Sequence, residues 1–203
     1  SSAEDVAADV GASVEHLRSL LDGVVALELL DQFNDVYELN DTARRYLVSD
    51  GPATMAELIA VATGPHDNWT RLAETVRSGC PSTPIENDPA AFYVPLVEGT
   101  FTTMFRCATR ADLKIRYSAR SAPLVLDLGA GGAPWSIAIL KACPEGRAVI
   151  NDLDGVLPVA QAKTSEHDVA DRCEFRPGDF HTVALEVDHF DIVVLGHVCR
   201  TEG

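Results

Sequence analysis

The sequence predicts an α/β fold with a Rossmann-like parallel sheet over residues 121–203. A mostly α, winged-helix-like domain is predicted over residues 1–120. Three observations predict this division. After residue 123, short apolar runs such as Leu124-Val125-Leu126 alternate with helical stretches, as strands of a parallel sheet buried on both faces require. The first of these runs leads straight into a glycine-rich turn. Before residue 120 the apolar residues instead recur every three or four positions, the period of half-buried helices.

Composition bounds the function classes. With 203 residues the chain can bury a real core. An apolar content of 46% and a mean hydropathy of +0.04 describe a soluble globular protein. The net charge of −15 argues against nucleic acid as a partner, since that affinity rests on Lys and Arg neutralising phosphates. The five cysteines, Cys80, Cys107, Cys143, Cys173 and Cys199, are odd in number and form no CxxC pair. No zinc or other metal site is therefore expected, and reduced thiols in a cytoplasmic protein account for them. No run of about 18 apolar residues and no basic-then-apolar leader is present, so neither membrane insertion nor secretion is expected.

The elements follow in order. Ser2-Ala3-Glu4-Asp5 opens a short helix with Val6, Ala7 and Val10 on its apolar face. Gly11 breaks it and Ser13 caps the next, with His16 where a capping box would place Glu. Over residues 14–30, Leu17, Leu20, Leu21, Val24, Leu27 and Leu30 form what reads as one buried stripe. A hairpin is expected around Asn34-Asp35, and Asn40 or Asp41 caps a helix at 42–47. Helix, turn, helix and a two-stranded wing make a winged-helix pattern. DNA binding does not follow from it: residues 1–50 hold three basic side chains (Arg18, Arg44, Arg45) against eleven acidic ones. A helix carrying Glu15, Asp22 and Glu28 would be repelled by a duplex. The module reads as a packing and dimerisation element.

Residues 51–120 read as helical. Pro52 suits a first turn followed by Met55, Leu58, Ile59 and Ala62, and a helix at 69–76 containing Trp69 ends at Gly79. The prolines of 81–89 mark a loop. Phe92, Tyr93, Phe101, Met104 and Phe105 either fill core at helical spacing or line a flat pocket. From 123 onward, strands are expected at 124–126, 147–151, 172–176 and 190–195, with helices at 135–142 and 156–166 between the first three. Ligands of such sheets lie at the carboxyl ends of the strands, where strand order reverses.

Three acids stand at those ends. Asp127 precedes the turn Gly129-Ala130-Gly131-Gly132-Ala133-Pro134. Pro134 sits where a nicotinamide dinucleotide site wants glycine, and a carboxylate at 127 suits a cationic amino-acid end better than a pyrophosphate. Gly129 and Gly131 allow backbone to approach a ligand without a Cβ. Asp152, twenty-five positions after Asp127 and followed by Leu153, is placed to accept both hydroxyls of a ribose. Asp179 is placed to accept from an adenine amino group, with Phe180 packing on the ring. Singly, each acid also reads as a strand-end or cap residue; after three successive strands they point to one ligand.

These stretches resemble the class I S-adenosylmethionine-dependent methyltransferases. The resemblance rests on Leu126-Asp127-Leu128-Gly129-Ala130-Gly131, Asn151-Asp152-Leu153 and Gly178-Asp179-Phe180. The whole chain is similar to bacterial relatives of plant-type small-molecule O-methyltransferases. Pro134-Trp135 and the ending at 195–203 resemble an actinobacterial subgroup. The resemblance implies S-adenosyl-L-methionine as cofactor, a homodimer, and methyl transfer to a hydroxyl of a small aromatic or polyketide-like acceptor in secondary metabolism. In-line displacement needs acceptor and methyl near 3–3.5 Å apart. The family's base is a histidine a few residues after the fourth strand. Here Arg200 stands at that position, and His197 is the nearest histidine. Both are candidate catalytic residues: His197 as base or as a cofactor-side group, Arg200 as a contact for an acidic acceptor. The family's sheet has more strands than are read here, so the chain is expected to be a piece of a longer protein, with its fourth strand otherwise an unprotected edge. C- or N-methyl transfer on the same fold is an alternative. So is a non-catalytic cofactor-binding protein, which Arg200 in place of the base would favour.

Overall fold

The structure is a computed structural model and describes residues 1–62, 71–80, 85–186 and 189–200. Two compact units form, Ser1–Ala56 and Glu57–Gly203.

In the first unit, α1 (Ala3–Val10) starts at a reciprocal cap. Asp5 N–H donates to Ser2 Oγ at 3.1 Å and Ser2 N–H donates to Asp5 Oδ2 at 2.9 Å, which satisfies amides that a first helical turn leaves without acceptors. Next, α2 (Val14–Ala26) follows Ser13, whose hydroxyl makes no capping bond. The sequence pattern extends this helix to residue 30 as one buried stripe; the structure corrects both points. The helix stops at Ala26, Glu28 takes φ 58, and Leu30 opens β1 (Leu30–Phe33). Leu30 pairs with Leu39 of β2 (Val36–Leu39), so the hairpin takes backbone groups that another helical turn would need. No residue of α2 is fully buried, and Leu20 and Leu27 are 63% and 70% exposed. Tyr37 ties the hairpin to α2: its hydroxyl donates to Asp22 at 2.6 Å and accepts from Gln32 at 3.0 Å. Asn40 caps α3 (Asp41–Tyr46), accepting from Ala43 N–H at 2.9 Å.

Pro52 does not begin a helix. Ala53 N–H donates to Arg45 O and Met55 N–H to Tyr46 O, so the segment folds back on α3 and α4 (Ala56–Ala62) starts later. Gly79, at φ 71, ends α5 (Leu72–Ser78); Trp69 lies outside the described residues. The expected 81–89 loop contains a 3₁₀ turn at Ile85–Asn87, and Pro89 already opens the 27-residue α6 (Pro89–Ile115). Asp88 caps α6 by accepting from Ala91 N–H at 3.1 Å. A Cβ at Gly99 would meet Val61 Cγ2 at 2.8 Å, so α4 crosses α6 at a distance only glycine permits.

The sheet is built from β3 (Leu124–Leu128), β4 (Arg147–Asp152), β5 (Cys173–Pro177) and β6 (Ile192–Val194). All pairs are parallel, in the order β5-β4-β3-β6. Between them run α7 (Pro134–Ala142) and α8 (Leu157–Glu166). Val125 and Ile150 of the strands and Ile137, Ile139 and Leu140 of α7 are at most 2% exposed; each such side chain contributes roughly 1.5–3 kcal/mol on burial. Helix α6 packs on both α7 and α8, and its Val97 lies against Gly131 in the turn that follows β3. Among the described residues no helix is long and apolar enough to cross a membrane.

Candidate functional site

Strand order reverses between β3 and β6: the chain moves outward from β3 to β4 and β5, then returns to the other side of β3. A crevice is required where the two crossovers part. A cavity of about 470 Å³ lies there, lined by residues from the ends of all four strands and from α6. Asp127, Gly129, Gly131, Asp152, Leu153, Asp179, Phe180 and His197 all line it. Arg200 is the exception: its backbone falls in a 3₁₀ turn at Val198–Arg200, and its side chain lies outside what the structure describes.

Asp127 is 1% exposed and its Oδ2 accepts from Ser136 Oγ at 2.7 Å. Burial pushes its carboxyl up to about 7, the Ser136 hydroxyl holds it down in part, and the nearby Asp152 charge adds to the rise. A carboxylate this costly to charge in isolation is prepared for a cationic partner. The turn after it is tight: Gly129 and Gly131 have φ 60 and 57, and Ala133 is also left-handed at φ 55. A Cβ at Gly131 would meet Val97 of α6 at 2.8 Å, so the glycine lets α6 close over the turn.

Asp152 ends β4. Its Oδ2 accepts from Gly131 N–H at 2.6 Å and its Oδ1 from Leu153 N–H at 2.7 Å. Burial raises its pKa against those two amides. Asp179, after β5, is exposed, and its Oδ1 accepts from His181 N–H at 2.8 Å. The Phe180 and His181 rings lie 4.3 Å apart and tilted. His197 follows β6 with φ 67, its Nε2 3.1 Å from Met104 Sδ of α6.

Sequence reasoning left some lining residues unassigned. Trp135 forms a wall over Gly196, where a Cβ would come within 3.0 Å of the indole. His181 sits two places after Asp179 and lines the cavity too; its neighbourhood to the acid was the available signal. Of the aromatic stretch, Tyr93, Phe101 and Met104 face the cavity, while Phe105 packs on the core.

The donor set decides what fits. Among the described residues the lining holds three carboxylates and neither Lys nor Arg. Such a site disfavours the pyrophosphate of a dinucleotide and suits a ligand that carries a cationic amino-acid end, a ribose and a flat base. S-adenosylmethionine has those parts. No group of three or more metal-ligating side chains occurs among the described residues.

No family model matches the chain. It is similar to acetylserotonin O-methyltransferase of Bos taurus, 26% identical over 214 residues that take in 95% of this chain and 59% of that protein. It is also similar to the N,N-dimethyltransferase OxyT of Streptomyces rimosus, 26% identical over 191 residues, 89% of this chain and 55% of that one. Human N-acetylserotonin methyltransferase, solved in complex with SAM, superposes with a TM-score of 0.69 at 21% identity, over 92% of this chain and 57% of its own. The chain thus spans a little over half the length of the curated relatives it matches. Other structural neighbours were solved with S-adenosylmethionine or SAH bound. The relatives and structural neighbours of this chain are class I S-adenosylmethionine-dependent methyltransferases, mostly O-methyltransferases; the chain has their fold, and S-adenosylmethionine is its expected cofactor.

Proposed function

We propose that this chain forms the cofactor-binding part of an enzyme that methylates a hydroxyl of a small aromatic or polyketide-like molecule. The observation that carries the reading is the set of three carboxylates, at the ends of β3, β4 and β5, gathered in one cavity whose described lining holds neither Lys nor Arg. In this reading Asp127 balances the ammonium of the methionine end and Gly129 and Gly131 admit its backbone-like atoms. Asp152 and Leu153 hold the ribose, while Asp179 and Phe180 hold the adenine. Bound S-adenosylmethionine supplies an electrophilic methyl group on its sulfonium. The chain's own residues bind and orient: α6 covers the turn and excludes water, with Tyr93, Phe101 and Met104 offering an apolar face for a flat acceptor. His197 takes the proton of the acceptor hydroxyl on a ring nitrogen, and Arg200 meets an acidic group of the acceptor.

Residues 1–120, which take in the first compact unit and the helices α4 to α6 that precede the sheet in the second, serve in the same proposal as a winged-helix-like dimerisation and lid region, and residues 121–203 as the cofactor domain. Exposed Leu20, Leu27 and Phe33 in the first unit support a homodimer contact there. Transfer to nitrogen is the second reading, supported by the named N,N-dimethyltransferase relative. The test is calorimetry with SAH and with NAD, followed by radiolabelled methyl transfer to phenolic and arylamine acceptors by the full-length protein. NAD binding without a response to SAH overturns the cofactor assignment; transfer only to amines selects the second reading.

A further inference from the structure

Asn151 is fully buried at the end of a strand whose neighbours Ala148, Val149 and Ile150 are buried and apolar. Asparagine is a poor strand former. Its Oδ1 has no hydrogen-bond partner, and an orphaned buried acceptor is destabilising. An apolar side chain would avoid that cost, so the position calls for an account.

The other end of the amide supplies one. Asn151 Nδ2 donates to Arg176 O at 2.8 Å and to Gly178 O at 2.9 Å. Two carbonyl oxygens can only accept, which fixes the amide's orientation. The same residue's carbonyl accepts from Ala130 N–H in the glycine turn at 3.1 Å, and the next carbonyl, of Asp152, accepts from Gly178 N–H at 2.9 Å. Three segments therefore meet at one residue: the turn after β3, the acid ending β4, and the Gly178-Asp179-Phe180 turn after β5. At Gly178 the chain turns with φ 124; its N–H makes the last backbone bond to β4, and its carbonyl is held by the Asn151 side chain.

We infer that Asn151 is a positioning residue that sets the Asp179-Phe180 arm at a fixed distance from Asp152 and so sets how the site reads an adenine ring. The inference rests on the proposed cofactor site. It acts through Asp179 and Phe180 and makes no ligand contact of its own, since Asn151 is not among the cavity-lining residues.

The test uses the full-length protein and two ligands, SAH and S-inosylhomocysteine, which lacks the 6-amino group. Wild-type protein should prefer SAH. Asn151→Leu should bind SAH roughly tenfold more weakly, the worth of about one net hydrogen bond or two, and should lose most of the preference. Amide exchange should quicken across residues 178–182 while β3 stays protected. Asn151→Asp keeps the shape but has no donor when ionised; measured against wild type at each pH, its deficit should shrink in acid as the carboxyl regains a hydrogen. A merely structural role would weaken both ligands equally. Unchanged preference in both variants, or unchanged exchange at 178–182, overturns the inference while leaving SAH binding intact. Wild-type protein that binds no SAH overturns the cofactor reading, and this inference with it.

Discussion

The Asp152 carboxylate accepts from the Gly131 amide at 2.6 Å, which fastens the turn after β3 to the end of β4 across 21 residues of chain. One side chain thereby shapes the turn and remains available, through its other lone pairs, to ribose hydroxyls. Asp152→Ala should raise the dissociation constant for SAH by roughly ten- to a hundredfold, since a charged hydrogen bond is worth about 1.5–3 kcal/mol. Calorimetry checks it, and an unchanged constant would remove Asp152 from the ribose site.

Asp127 carries a pH signature. Burial pushes its carboxyl up to about 7 in the folded protein, against about 3.9 for an unfolded chain. Between those values the folded state binds more protons, so this group lowers stability as pH rises from about 4 to about 7, with no further loss above. Asp127→Asn should flatten that slope in thermal unfolding. Wild-type affinity for SAH should weaken as pH falls below about 7, because a neutral acid cannot balance an ammonium; the Asn variant should bind weakly throughout. A variant with wild-type pH dependence of binding would refute the assignment.

Gly131 is constrained twice, by φ 57 and by Val97 Cγ1 at 2.8 Å from any added Cβ. Gly131→Ala should cost about 1–2 kcal/mol from the left-handed backbone alone, plus the clash. Adding Val97→Ala should remove the 2.8 Å contact, leave the tighter-than-usual 3.1 Å approach of Val97 Cβ, and leave the backbone cost. Full recovery in the double variant, read by denaturant unfolding, would show that the turn's conformation was never strained.

Much of this was legible in the residues. The central strands β3 and β4 and the acids at 127 and 152 were legible because a parallel strand buried on both faces is mainly apolar and its carboxyl end is not, while the edge strand β5, Cys173-Glu174-Phe175-Arg176-Pro177, alternates instead. The end of α2 was not legible: Leu27 and Leu30 keep helical spacing, and only pairing of Leu30 with Leu39 decides otherwise. Pro52 misled for a similar reason, since the bonds that hold its segment run back to Arg45 and Tyr46. Asn151 was invisible as more than a strand end, because its partners at 176 and 178 are backbone carbonyls, and carbonyls leave no trace in sequence.

Assembly should follow the first unit's surface. Leu27 is 70% exposed and Phe33 76%, and the unit's acidity disfavours DNA. Full-length protein should scatter light as a dimer at micromolar concentration, and Leu27→Asp with Phe33→Asp should shift it to monomer. A wild-type monomer, or salt-sensitive retention of a DNA duplex, would count against the proposal.

His197 holds φ 67, a left-handed conformation that costs a side-chain-bearing residue about 1 kcal/mol, and its Nε2 lies 3.1 Å from Met104 Sδ at the α6 side of the cavity. Strain kept at a cavity wall is a sign of use. His197→Ala in the full-length enzyme should cut turnover by roughly 10²–10⁴-fold with SAH affinity nearly unchanged, the mark of a lost proton acceptor. His197→Gly should show the same loss of turnover and a gain of about 1 kcal/mol in stability, because glycine adopts this backbone without strain. A rise in the SAH dissociation constant that accounts for the whole loss would instead make His197 a cofactor-side group. Arg200→Ala is the companion: it should raise the KM of carboxylate-bearing acceptors and spare neutral ones, since a guanidinium meets a carboxylate with two parallel bonds. Unchanged kinetics in all three variants would take the segment after β6 out of the active site.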